Sequence, residues 1–157
     1  MAHGRLESVM MSKKRSTQRS FNQLWLFEPA TNHSSYLSKR MFGGLAIYLH
    51  GKMMAVLAED PNDHTWQGVT YPHPIWNGIL FPVSREDHAL LRKRWQSLVP
   101  HPVLGKWLYL PLNADDYEST AQAIVLEIVA SKAPWGIEPR QRTARSKPAR
   151  KSGISAR

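Results

Sequence analysis

The chain has 157 residues, 42% of them hydrophobic, a formal charge of +9 and no cysteine. That length accommodates one domain with a substantial core, while the missing cysteines exclude a disulfide framework and any thiolate-based zinc or redox centre. No apolar run approaches the roughly 20 residues of a membrane span, and the start, MAHGRLESVMMSKKRS, lacks the apolar stretch of a signal peptide. A cytoplasmic protein without a membrane partner is expected.

The positive charge belongs to the ends: residues 1–20 carry +4, residues 21–139 carry −2 and residues 140–157 carry +7. We expect a disordered basic segment over 1–20, a folded domain over 21–139 and a disordered basic tail over 140–157, which is too poor in apolar residues to offset the entropy of ordering. In the tail, Arg140, Arg142, Arg145, Lys147, Arg150 and Lys151 are candidates for non-specific nucleic-acid contact. Such binding loses about 0.9 log units of affinity per log unit of salt for each phosphate contacted. A gel-shift titration of a chain lacking 140–157 should then show none.

Within 21–139, Phe21, Leu24 and Trp25 behind Ser20 predict a short helix that Pro29 ends. Tyr36 to Phe42 reads as a first strand, and Gly43-Gly44 as a bulge or a tight turn with positive φ. Leu45 to Leu49 and Met53 to Ala58 form a hairpin around His50-Gly51, where Gly suits the second position of a type I′ turn and Asn or Asp is more usual than His at the first. Both runs are apolar on both faces, so these are central strands, one face under helices and the other against a partner or a covering loop.

Residues 61–77, with three Pro, two Trp, two His and a Tyr, predict a covering or functional loop that hides a short strand at Gly68 to Tyr71. Gly78 to Val83 is the next strand, placed by Pro82 at an edge or near its end. Ser84 caps a helix reaching Leu98 on the spacing of His88, Leu91, Trp95 and Leu98. Leu104 to Leu112 is a strand with Trp107 and Tyr109 on one face and Leu108 and Leu110 on the other. Asn113 caps a second helix, Ala114 to about Ala133, whose stripe of Tyr117, Ala121, Ile124, Val125, Ile128 and Val129 suits a helix laid across a sheet. Pro134 closes it, and Trp135-Gly136-Ile137 tucks back under the domain.

The stretch Lys39-Arg40-Met41-Phe42-Gly43-Gly44, followed by Ile47-Tyr48, Gly51 and Met53, resembles the N-terminal domain of the TfoX (Sxy) competence-regulator family, which is related to YjbR-like proteins. The resemblance covers about twenty residues. Arg40, Met41, Phe42, Gly43, Gly44, Tyr48 and Gly51 are its motif, carried over as structural residues. It implies a two-layer α+β domain: an antiparallel sheet of about five strands with helices on one side, akin to secretion chaperones. The chain departs from the family at His50, where Asp is usual, and at Met54, where Phe is preferred.

No residue set carries a reaction. Gly43-Gly44 lacks the spacing and following helix of a phosphate-binding loop, and no two of the seven His stand at the i, i+4 spacing of a helical ligand pair. Ser84 is a cap rather than a nucleophile. The Arg92-Lys93-Arg94 triplet spreads around its helix, so the Trp residues serve packing rather than base stacking. No catalytic, cofactor-binding or metal-ligating residue is assigned. The expected function is a non-enzymatic interaction domain, acting through a protein partner or a homodimer, with nucleic acid touched through the tails. The alternative is a ligand-binding or enzymatic module with a pocket between the sheet and the Trp66–Trp76 loop.

Overall fold

The structure is a computed structural model that describes residues 21–41 and 43–139. The expectations for 1–20, for Phe42 and for 140–157 lie outside the described residues. The remainder is an α+β domain whose core is a six-stranded antiparallel sheet.

Its strands are β1 (Leu37–Met41), β2 (Gly44–Leu49), β3 (Lys52–Asp60), β6 (Trp76–Phe81), β8 (Leu108–Pro111) and β7 (Val99–Pro100), side by side in that order. A separate two-stranded hairpin, β4 (Thr65–Trp66) and β5 (Val69–Thr70), stands where one short strand was expected. The helices are α1 (Glu28–Thr31), which continues a 3-10 turn at Leu24–Phe27, then α2 (His88–Arg94) and α3 (Tyr117–Val129). The sheet thus has six strands where about five were expected.

The opening hairpins explain their glycines. Met41 and Gly44 are the last pair of β1 and β2, and Gly43 between them has φ +75°. This is a tight turn, not a bulge. Gly44 has a different reason to lack a side chain, since a Cβ there would overlap the Leu57 carbonyl oxygen on β3. The bulge lies further on: Ile47 pairs Ala55 but Tyr48 pairs Met53, leaving Met54 as the extra residue. Met54 therefore joins Ala55 on the helical face, while Met53 turns to the other.

At the β2–β3 turn, His50 (φ 56°) and Gly51 (φ 77°) both take the left-handed conformation a type I′ turn requires. The imidazole also has a partner that an Asp at this position could not serve. Nε2 of His50 lies 3.1 Å from the Val129 carbonyl at the end of α3, a bond in which the ring must donate. A carboxylate at that point would face unsatisfied helix carbonyls and the negative end of the helix dipole.

One face of the sheet carries the helices. Leu45, Ile47, Leu57, Ile79, Leu108 and Leu110 pack there with Leu26 and Phe27, with Leu91 of α2 and with Ala121, Ile124, Val125 and Ile128 of α3. Each fully buried aliphatic side chain contributes roughly 1.5–3 kcal/mol. The opposite face is closed by loops: Ala46, Val56, Leu80 and Tyr109 are buried beneath Trp76, Leu104, Trp107 and Ile137. Ile137 also bridges to β3, exchanging backbone hydrogen bonds with Met53.

Several boundaries differ from the sequence reading. Pro29 sits in the first turn of α1 instead of ending a helix, a position where its missing N–H costs nothing. β6 lies between β3 and β8, so it is interior, and Pro82 falls just past its end. α2 stops at Arg94 because Trp95 is extended (φ −132°, ψ 98°). Trp95 and Leu98 still reach the core, and that burial produced the helical spacing. Ser84 makes no side-chain cap bond, and a 3-10 turn (Arg85–Asp87) stands between it and α2. β8 begins at Leu108, not Leu104. α3 starts at Tyr117 behind Asp116, with Asn113 outside, and Asp116 makes no side-chain capping bond, its carboxylate accepting from the Ser97 hydroxyl.

Candidate functional site

Two neighbouring recesses run along the outer side of α3, with Trp25 between them. The first, of about 880 Å³, lies at the N-terminal end of α3 and is bordered by Asn22, Gln23, Glu59, Asp115, Asp116 and Glu118. The second, of about 540 Å³, continues along the helix between Leu26, Pro29, Gln122, Val125 and Leu126. Among the described residues, no Lys, Arg or His lines either one. Trp25 borders both, with 49% of its surface exposed, and Leu126 is 62% exposed. An acidic cleft therefore opens into an apolar groove.

Gln23 anchors one wall of the first recess. Its backbone N–H donates to the Glu59 carboxylate at 2.8 Å, its Nε2 donates to the Ala58 carbonyl at 2.8 Å, and its Oε1 accepts from the Tyr117 hydroxyl. These three bonds tie the turn before Leu24 to the end of β3 and to α3. Burial, with the Glu59 and Glu118 charges nearby, raises the Tyr117 phenol above its ordinary pKa, so it remains a proton donor. At the mouth, the Ser97 hydroxyl bond keeps Asp116 below the usual carboxylate range.

The strongest pKa perturbations elsewhere belong to packing. His101 is 1% exposed. Its Nδ1 accepts the Val103 and Leu104 N–H groups, both at 3.0 Å, and its Nε2 donates to the Ile75 carbonyl at 2.6 Å. Burial pushes the imidazole down to about 4, and His73 adds to that, against the opposing Ile75 bond. Trp76 and Tyr109 lie on it, with ring centroids 4.4 and 5.0 Å away. The Tyr109 hydroxyl donates to the Pro74 carbonyl at 2.6 Å and accepts the Asn77 N–H at 2.7 Å. This cluster fastens the aromatic loop to the sheet. The first recess meets that loop only at its two ends, Pro61 and Asn77.

Among the described residues, the stretch from Arg40 to Gly51 forms no common site. Arg40 and Met41 are on β1, Gly43 and Gly44 at its turn, Tyr48 on β2 and Gly51 at the next turn. Arg94 of the basic triplet bridges to Glu127 at 2.5 Å, and Arg92 donates to the Leu98 carbonyl. Glu127 also accepts the Trp135 indole N–H at 2.8 Å. Burial raises Glu127, but the Arg94 and Trp135 bonds outweigh it and hold the carboxyl below its usual value. Among the described residues, no three His, Asp or Glu come together as a metal site requires, and no helix is long and apolar enough to cross a membrane.

The recess along α3 was missed in the sequence. Its signal was present: Leu126 falls off the apolar stripe of its own helix, and Trp25 belongs to a short segment with apolar residues on several faces. The architecture is that of an α+β domain with an antiparallel sheet. Compared with known proteins, the chain matches no family model, no curated protein and no solved structure.

Proposed function

We propose that this chain is an interaction domain of the TfoX N-terminal type, of the secretion-chaperone-like class, that works through protein partners or self-association and catalyses no reaction of its own. The observation that carries this reading is the exposed pair Trp25 and Leu126 facing one groove beside α3. Two large apolar side chains converging on one recess mark a contact surface, whereas scattered exposed ones do not. The basic ends, including Arg140, Arg142, Arg145, Lys147, Arg150 and Lys151, add sequence-independent contact with nucleic acid.

Sedimentation velocity of the full chain tests it. Concentration-dependent dimerisation is expected, weakened at least tenfold by Leu126→Lys, with unfolding stability within about 0.5 kcal/mol of the parent because the site is exposed. A chain that stays monomeric at every concentration, or a dimer indifferent to Leu126→Lys, overturns the reading.

A further inference from the structure

We infer that the apolar groove beside α3 takes the tip of the β4–β5 hairpin, Trp66 with Val69, from a second copy of this chain. The inference rests on the preceding reading of this face as the contact surface, and it names both the occupant and the symmetry of the contact.

The hairpin is firmly built yet left uncovered. Gln67 (φ 50°) and Gly68 (φ 80°) close it with the two left-handed residues of a type I′ turn. At its base the Tyr71 N–H donates to the His64 carbonyl and the Ile75 N–H to the Asp63 carbonyl, both at 2.8 Å. It nevertheless forms a sheet of its own, and every residue from Thr65 to Thr70 is exposed. Trp66 and Val69 are direct cross-strand partners, so their side chains share one face, 39% and 50% exposed. Outside the groove, the other large exposed hydrophobics among the described residues, Leu37, Leu90 and Leu112, stand apart from one another on β1, on α2 and just past β8. The hairpin tip is therefore the apolar protrusion that one copy can offer another.

The groove suits that tip in shape and chemistry. Leu26, Pro29, Val125 and Leu126 give it apolar walls around a space of about 540 Å³. Glu28 and Gln122 line it as well and supply acceptors for the indole N–H, which needs a partner once the ring is buried. Symmetry separates the ways in which two copies can meet. A two-fold pairing of this face lays recess against recess and leaves both unfilled, whereas a head-to-tail contact sets a convex apolar tip in a concave apolar site. Each such contact leaves one hairpin and one groove vacant, so further copies add as the concentration rises.

Sedimentation velocity of the full chain, with single variants and their mixture, tests this. Trp66→Ala and Val69→Lys should each weaken self-association roughly tenfold or more, as Leu126→Lys does. An equimolar mixture of Trp66→Ala and Leu126→Lys should then recover parent-like affinity and stop at the dimer, because the intact hairpin of one chain enters the intact groove of the other. That recovery also shows both variants to be folded. Either hairpin variant associating as tightly as the parent overturns the inference, and so does a mixture that associates no more tightly than its components. The contact-surface reading is scored separately by Leu126→Lys alone, since a two-fold contact across the groove feels that change and not the hairpin ones.

Discussion

His101→Ala should cost roughly 3–5 kcal/mol of unfolding free energy, read as a shift of the urea midpoint at pH 7. The imidazole satisfies three backbone groups, the buried carbonyl of Ile75 and the half-buried N–H of Val103 and of Leu104. Each orphaned group costs about 1–3 kcal/mol, and the vacated volume beside Trp76 and Tyr109 adds a cavity term. A loss below about 1 kcal/mol would show that water replaces the ring without penalty.

The same residue sets a pH dependence of known sign. Folding lowers its pKa from 6.5 to about 4, so between those values the unfolded chain binds a proton that the folded chain refuses. Stability is complete above pH 6.5 and declines as the pH falls towards 4, by a total of about 2–3 kcal/mol. Glu127 and Asp116 are shifted down as carboxylates, so their contributions are lost at lower pH, as each is protonated through its folded pKa. The difference between the parent and His101→Ala curves should therefore shrink across pH 6.5 to 4. A difference constant over that window would exclude His101 as its source.

Gly44→Ala should lower stability by about 3 kcal/mol or more, and Gly43→Ala by about 1–2 kcal/mol. At Gly43 the cost is conformational: φ is +75° with open space around it, and an L-residue there bears the left-handed penalty. At Gly44 a methyl would meet the Leu57 carbonyl oxygen of the neighbouring strand, and backbone cannot rotate away as a side chain can. Guanidinium denaturation of the two single variants decides the ranking. If Gly43→Ala proved the more damaging, the turn and not the strand approach would dominate this hairpin.

How far the sequence disclosed this molecule depended on the range of the interaction. Alternation and turn chemistry act between near neighbours, so the β2–β3 hairpin, the buried face of α3 and the opposite faces of Tyr109 and Leu110 were readable. The end of α2 was not, since Trp95 leaves the helix to meet Trp135, 5.8 Å away between centroids, a partner forty residues on. The Ser97 bond to Asp116 was hidden for a similar reason, since the two are nineteen positions apart. The candidate site was the least legible part. It joins residues near 25, 59 and 118 whose adjacency exists only once β3, α3 and the first turn have packed.

The two margins of the sheet bear on how copies of this chain can meet. β1 presents exposed Lys39 and Arg40 along its outer strand, and β7 is two residues long and ends in Pro100, which has no N–H to offer. Charge on one border and a truncated, proline-bearing strand on the other both discourage edge-to-edge growth. Neither border therefore offers a neighbouring copy an easy strand to pair with, and fibrillar stacking is disfavoured.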